Sequence, residues 1–169
     1  MAVALGTTLI NLGTATLIEK DEYARIEDGR VNGDDECFIG QLVTRYGQTF
    51  PDIVGCDEGE FLTGLLTGLN TTRHTLPNVT SGNPAFYNDY DHMFDDNTYI
   101  RIGILKSQGV YLVLSETNKT FTVGQGLKVV DGGVLAGATS GDVVSFICEE
   151  PVTGAENTRK YFRARFVKN

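Results

Sequence analysis

T-V-G-Q-G-L-K-V-V-D-G-G-V-L-A-G-A-T, residues 122–139, holds five glycines. A phosphate-cradling loop is glycine-rich, and so is a tight β-turn, so this stretch decides between a nucleotide enzyme and a structural β-protein. A dinucleotide fingerprint needs G-x-G-x-x-G between a strand and a helix. Gly124 and Gly126 supply the first two glycines, but position 129 is Val. No G-K-S/T follows either. Asp131-Gly132 stands between two apolar runs, which marks a hairpin, because glycine takes the positive φ such a turn demands. The glycines read as turns.

The same pattern continues outward. N-T-Y-I-R-I-G-I-L-K alternates, with Ile100, Ile102 and Ile104 on one face and Tyr99, Arg101 and Gly103 on the other. G-V-Y-L-V-L-S reads as a more fully buried strand, and D-V-V-S-F-I-C-E-E as another. In Y-F-R-A-R-F-V, Phe162, Ala164 and Phe166 face inward and Arg163 and Arg165 outward. Upstream, C-F-I-G-Q-L-V-T-R-Y carries a glycine that suits a bulge, and P-D-I-V-G-C follows. E-F-L-T-G-L-L-T-G-L is ambiguous, since Phe61, Leu65, Leu66 and Leu69 fit a helix face. Its glycines at 64 and 68 disfavour a helix, and a strand is expected.

Residues 1–36 do not read as a packed strand pair. They are expected to form a partly extended arm held at Leu9, Ile10, Leu12, Leu17 and Ile18, with a short helix near residues 17–26 as the rival reading. The β-rich domain is expected over residues 37–169, interrupted by a polar, turn-prone excursion at 70–97. The fold class expected is all-β, a small barrel or sandwich with an extended N-terminal arm. A chain of 169 residues with 41% hydrophobic and 21% charged residues suits a soluble globular domain.

The net charge of −8 is uneven. Residues 1–36 carry eight acidic and three basic side chains, residues 37–98 eight and two, residues 99–169 six and nine. An acidic surface repels phosphate backbones, so no nucleic-acid partner is expected. The basic cluster Arg159, Lys160, Arg163, Arg165 and Lys168 fits the wet face of a last strand. Cys37, Cys56 and Cys148 show no C-x-x-C and read as reduced, packed thiols. The apolar N-terminus lacks a basic n-region and is broken by glycines, threonines and Asn11, so neither a signal peptide nor a membrane span is expected. Three N-x-T matches at Asn70, Asn78 and Asn118 then read as chance.

Catalytic and metal motifs break where they matter. Asp89, Asp91, Asp95 and Asp96 begin like an EF-hand, but the fifth and sixth places are Met93 and Phe94. His74 and His92 sit in no H-E-x-x-H, and no serine sits in G-x-S-x-G. No catalytic residue, cofactor or metal site is expected.

The order of hairpin, short spacer and the strand V-V-S-F-I-C-E-E resembles the head decoration, or capsid cement, proteins of tailed viruses. Residues 124–149 match that family's layout, and G-Q-L-V at 40–43 looks like its first-strand signature. The resemblance covers roughly residues 37–169, and the 70–97 excursion departs from the smaller members. It implies a non-enzymatic virion protein on the capsid exterior, bound to the major capsid protein. The assembly implied is a homotrimer at three-fold or quasi-three-fold positions. It also implies that the N-terminal arm contacts the capsid. The alternative is a tail or fibre β-module that binds a host surface glycan or protein.

Overall fold

The computed structural model describes residues 2–4, 23–32, 37–38, 40–45, 52–69, 93–94 and 99–167. Among them every regular element is a strand. In chain order these are β1 (Ala2–Ala4), β2 (Tyr23–Val31), β3 (Cys37–Phe38), β4 (Leu42–Arg45), β5 (Asp52–Gly55), β6 (Gly64–Leu69) and β7 (Met93–Phe94). They continue as β8 (Tyr99–Leu105), β9 (Val110–Leu114), β10 (Gly126–Val130), β11 (Val134–Gly137), β12 (Phe146–Cys148) and β13 (Thr158–Phe166). The all-β class read from the sequence holds.

Two layers result. β2, β5, β4, β6 and β8 close into a barrel, joined by antiparallel ladders except for the parallel β2–β5 pair. The second layer is a sheet ordered β1-β13-β12-β10-β11, with β9 also on β13. A single parallel bridge, Ser115 to Leu135, brings β11 back beside the end of β9. Closing sheets in this way hides backbone edges that would otherwise seek partners.

Hydrophobic side chains tie the layers together. Val31, Val43, Ile53, Leu66, Ile100 and Ile102 of the barrel share one cluster with Leu114, Val134 and Tyr161 of the sheet. A second cluster joins Tyr23, Leu42 and Leu65 to Tyr111, Phe146 and Phe162. Tyr23 stacks on Tyr111 with ring centroids 5.1 Å apart. Burying each such side chain contributes on the order of 1.5–3 kcal/mol, so the shared clusters bind the two layers to one another.

The sequence reading of β13 holds: Phe162, Ala164 and Phe166 are buried, while Arg163 is exposed and Arg165 pairs with Glu149 at 2.7 Å. β6 is a strand, as expected. Two expectations need correction. Tyr23–Val31, placed in the arm, is a strand of the barrel, paired along its length with β8. It is also not part of a helix near residues 17–26. Its outward charges hide it, since only Tyr23, Gly29 and Val31 are buried. The strand read from D-V-V-S-F-I-C-E-E shrinks to Phe146–Cys148. Ile104, on the same face as Ile100 and Ile102, is partly buried against their cluster. Leu9, Ile10, Leu12, Leu17, Ile18, the acidic loop and most of the 70–97 excursion lie outside the described residues.

Candidate functional site

The glycine-rich stretch is a hairpin, and its turn has a further task. β10 and β11 pair from Leu127↔Gly137 to Val130↔Val134, leaving Asp131, Gly132 and Gly133 as the turn. Gly132 and Gly133 take φ of +82° and +68°. The turn then inserts between the layers. Leu42 N donates to Gly133 O at 2.8 Å, and Gly133 N donates to Cys56 O at 2.8 Å. Gly132 N donates to Asp57 Oδ1 at 2.9 Å, and Glu58 N to Asp131 Oδ1 at 3.1 Å. The buried Gln41 amide donates to Gly132 O at 2.6 Å. A Cβ on Gly133 would overlap the Leu42 carbonyl oxygen. The turn is therefore a clasp, and the donors that could have cradled a phosphate are spent on protein groups.

No reactive centre emerges beside it. Among the described residues no group of three or more His, Cys, Asp or Glu could hold a metal. All three cysteines are buried. Burial, with Glu60 and Asp57 nearby, pushes the Cys56 thiol up to about 12, and burial raises Cys148 as well. Nucleophilic cysteines need the opposite shift.

Two hollows among the described residues share Leu62. One, of about 540 Å³, has an apolar floor of Leu62, Ile104, Leu105 and Phe166, with Phe61 on its wall. Arg25, Glu27 and Arg45 close one end. Arg25 pairs with Glu27, and Arg45 Nη2 lies 3.2 Å from the same carboxylate. The other hollow, of about 340 Å³, runs past Leu62 to Val143 and is bounded by Glu58, Glu60, Lys128 and Asp142. Lys128 Nζ sits 2.6 Å from Glu58 and 3.3 Å from Asp142. The hydrogen bond to Glu58 raises the Lys128 pKa, and bonds from Thr139 lower that of Asp142. Sequence reading missed this strip because Phe61 falls in step with Leu65 and Leu66 and reads as core. The run Asp57-Glu58-Gly59-Glu60 just before it was the available signal of a wet turn.

The backbone fixes the strip. Glu60 N donates to Asp57 O at 3.2 Å, closing a turn whose third residue, Gly59, has the φ of +84° that a type II turn requires. Thr44 Oγ1 donates to Phe61 O at 2.7 Å, and Thr63 N to Val43 O at 2.9 Å.

β1 adds one more feature. Ala2–Ala4 lies parallel to Thr158–Lys160, the part of β13 that β12 does not reach. Ala2–Ala4 thus pairs with a half-buried margin of the sheet.

No protein-family model matches the chain, and no curated protein does. Among solved structures it is similar to the head fiber gp8.5 N base of bacteriophage phi29, with a TM-score of 0.50 at 10% identity, over 83% of this chain and 92% of that one. It is also similar to a C-terminal fragment of the bacteriophage phi29 gene product 12, with a TM-score of 0.43 at 18% identity, over 85% of this chain and 99% of that one. The first of these shows a shared all-β fold across most of both chains.

Proposed function

We propose that this chain is a non-enzymatic structural protein of a tailed virus, bound to the major capsid protein on the outside of the head and stabilising the lattice as a homotrimer at three-fold or quasi-three-fold positions. The observation that carries the reading is the fold shared with a phage head-fibre base over most of both chains. It agrees with the decoration-protein layout of residues 124–149. The chemistry agrees too: the glycines clasp two layers, and burial raises the Cys56 and Cys148 thiols.

Attachment is assigned to the N-terminal segment, with Leu9, Ile10, Leu12, Leu17 and Ile18 as its apolar contacts. The intrachain β1–β13 pairing supports a strand-addition mode for this segment, in which main-chain bonds supply affinity and side chains specificity.

The test is direct. Purified protein is mixed with undecorated heads, sedimented, and imaged by electron microscopy. Hundreds of copies at symmetry axes of the shell are expected. A few copies at one vertex would make it a tail or fibre module, and no co-sedimentation would refute capsid attachment. Deleting residues 1–18 is expected to leave the melting transition in place and abolish co-sedimentation. A truncated chain that still binds heads would move the contact elsewhere.

A further inference from the structure

Four large hydrophobic side chains are exposed among the described residues, and two of them belong to the strip: Phe61 at 74% and Val143 at 61%. Leu62, which lines both hollows, lies beneath, and Phe166 forms part of the floor. The Asp57–Glu60 turn and the Thr44 bond hold Phe61 outward without further ordering. A residue whose backbone is already fixed loses less freedom on binding, which favours contact over idle exposure.

The charges at the two ends identify the partner. At the Phe61 end, Arg25 and Arg45 flank the single carboxylate of Glu27. At the Val143 end, Glu58 and Asp142 pair with the single amine of Lys128, and Glu60 lines the same hollow. One end is net positive, the other net negative, and the middle is apolar. A partner of uniform sign would be attracted by one end and repelled by the other. A surface that offers both signs is a second copy of this one, the positive end of one copy meeting the negative end of the next.

We propose that the Phe61–Leu62–Val143 strip docks a second copy of this chain, the Arg25–Arg45 end of one copy against the Glu58–Glu60–Asp142 end of the next. The surface rests on the capsid reading only for the number of copies, since it would join subunits with or without a shell.

Sedimentation equilibrium and light scattering on the full chain, without capsids, read the association. The wild type is expected to form a defined oligomer. Phe61→Ser with Val143→Ser is expected to weaken it at least tenfold while the melting transition stays. Arg25→Glu alone and Glu58→Lys alone should each weaken association, and the two together should restore it, because the pair then attracts with its sign reversed. That recovery cannot come from a folding defect. A wild type that stays monomeric at every concentration overturns the proposal, as does an oligomer indifferent to all these variants. An intact oligomer that loses head binding in the Phe61 and Val143 variant would make the strip a capsid contact and overturn it too. A wild type that self-associates through the strip but never binds heads would refute the capsid reading alone.

Discussion

Residues 56–63 face two ways, and the two faces answer to different demands. Toward the sheet, Cys56 O, Asp57 Oδ1 and Glu58 N meet the Asp131–Gly133 turn through backbone-directed bonds of 2.8, 2.9 and 3.1 Å. Toward solvent, the same loop presents Phe61 with no neighbour covering most of its ring. In the clasp, space and bonding are both exhausted, so any added atom or lost donor is felt by the fold. In the strip, the backbone is equally fixed but the side chain is uncommitted, so substitutions should alter what the chain binds and leave its folding alone. Conformational order is common to both faces, and only the clasp turns it into stability.

The largest expected effect comes from adding bulk to the clasp. Gly133→Val would force a β-branched residue into a φ of +68° and drive its Cβ into the Leu42 carbonyl. Strain and overpacking together should cost about 3 kcal/mol or more, enough to unfold a marginally stable chain. Urea denaturation followed by circular dichroism reads it. A variant as stable as the wild type would mean that the turn is not wedged between the layers.

Removing a donor is next. Gln41 is buried, and its amide meets Gly132 O at 2.6 Å. Gln41→Leu keeps much of the volume but strands that carbonyl, at about 1–3 kcal/mol. The loss should appear as a lower urea midpoint with unchanged slope. A change in slope would point instead to separate melting of barrel and sheet, against a pair of layers that share both hydrophobic clusters.

On the strip, Phe61→Ser is expected to change the unfolding free energy by no more than about 0.5 kcal/mol, as for surface positions generally. A loss of several times that would show Phe61 packed on its own chain, and the comparison of the two faces would collapse.

What the sequence disclosed divides along the same line between satisfied backbone and unsatisfied surface. The hairpin, β8, β9 and β13 were legible because alternation and a turn glycine are local signals, independent of what lies across the core. β2 was not. Its Y-A-R-I-E-D-G-R-V buries only its ends and Gly29, where a Cβ would stand 2.6 Å from Ile102 Cδ1. A strand that serves a barrel through a glycine and two end residues shows no period of two. Barrel closure through the parallel β2–β5 pair depends on residues more than twenty apart and leaves no local trace. Phe61 was legible as apolar but not as exposed, since periodicity alone cannot separate a core face from a docking face. The decoration-protein resemblance rested on the hairpin-to-β12 layout, the part of the chain where local and global order agree.

The smallest effect expected is electrostatic, and it tests whether the acidic end of the strip is fixed as firmly as the clasp. Asp142 Oδ2 accepts from Thr139 N and Thr139 Oγ1, both at 2.8 Å, and Oδ1 faces Lys128. These bonds favour the carboxylate and hold its pKa below the ordinary 3.8. A depressed carboxylate pKa gives stability that is fully present above the unfolded value and is lost as pH falls through the folded one. Lys128 shifts the other way, raised chiefly by Glu58, so its share persists through neutral pH and fades only in alkali. Melting temperatures of the wild type and Asp142→Asn should therefore differ by a small, constant amount from neutral pH down to about pH 5, narrow as pH falls through the ordinary carboxylate value, and converge only below the depressed folded value, where the carboxylate is protonated in both states. The gap should also shrink in high salt, because the Lys128 contact is open to solvent. A gap that holds steady into acid would assign the Asp142 contribution to the neutral hydrogen bonds with Thr139, leaving the negative end of the strip without a fixed charge at its centre. In that case the polarity that matches one copy to the next would rest on Glu58 and Glu60 alone, and Glu58→Lys should then abolish the association outright, where a surviving Asp142 charge would leave it merely weakened.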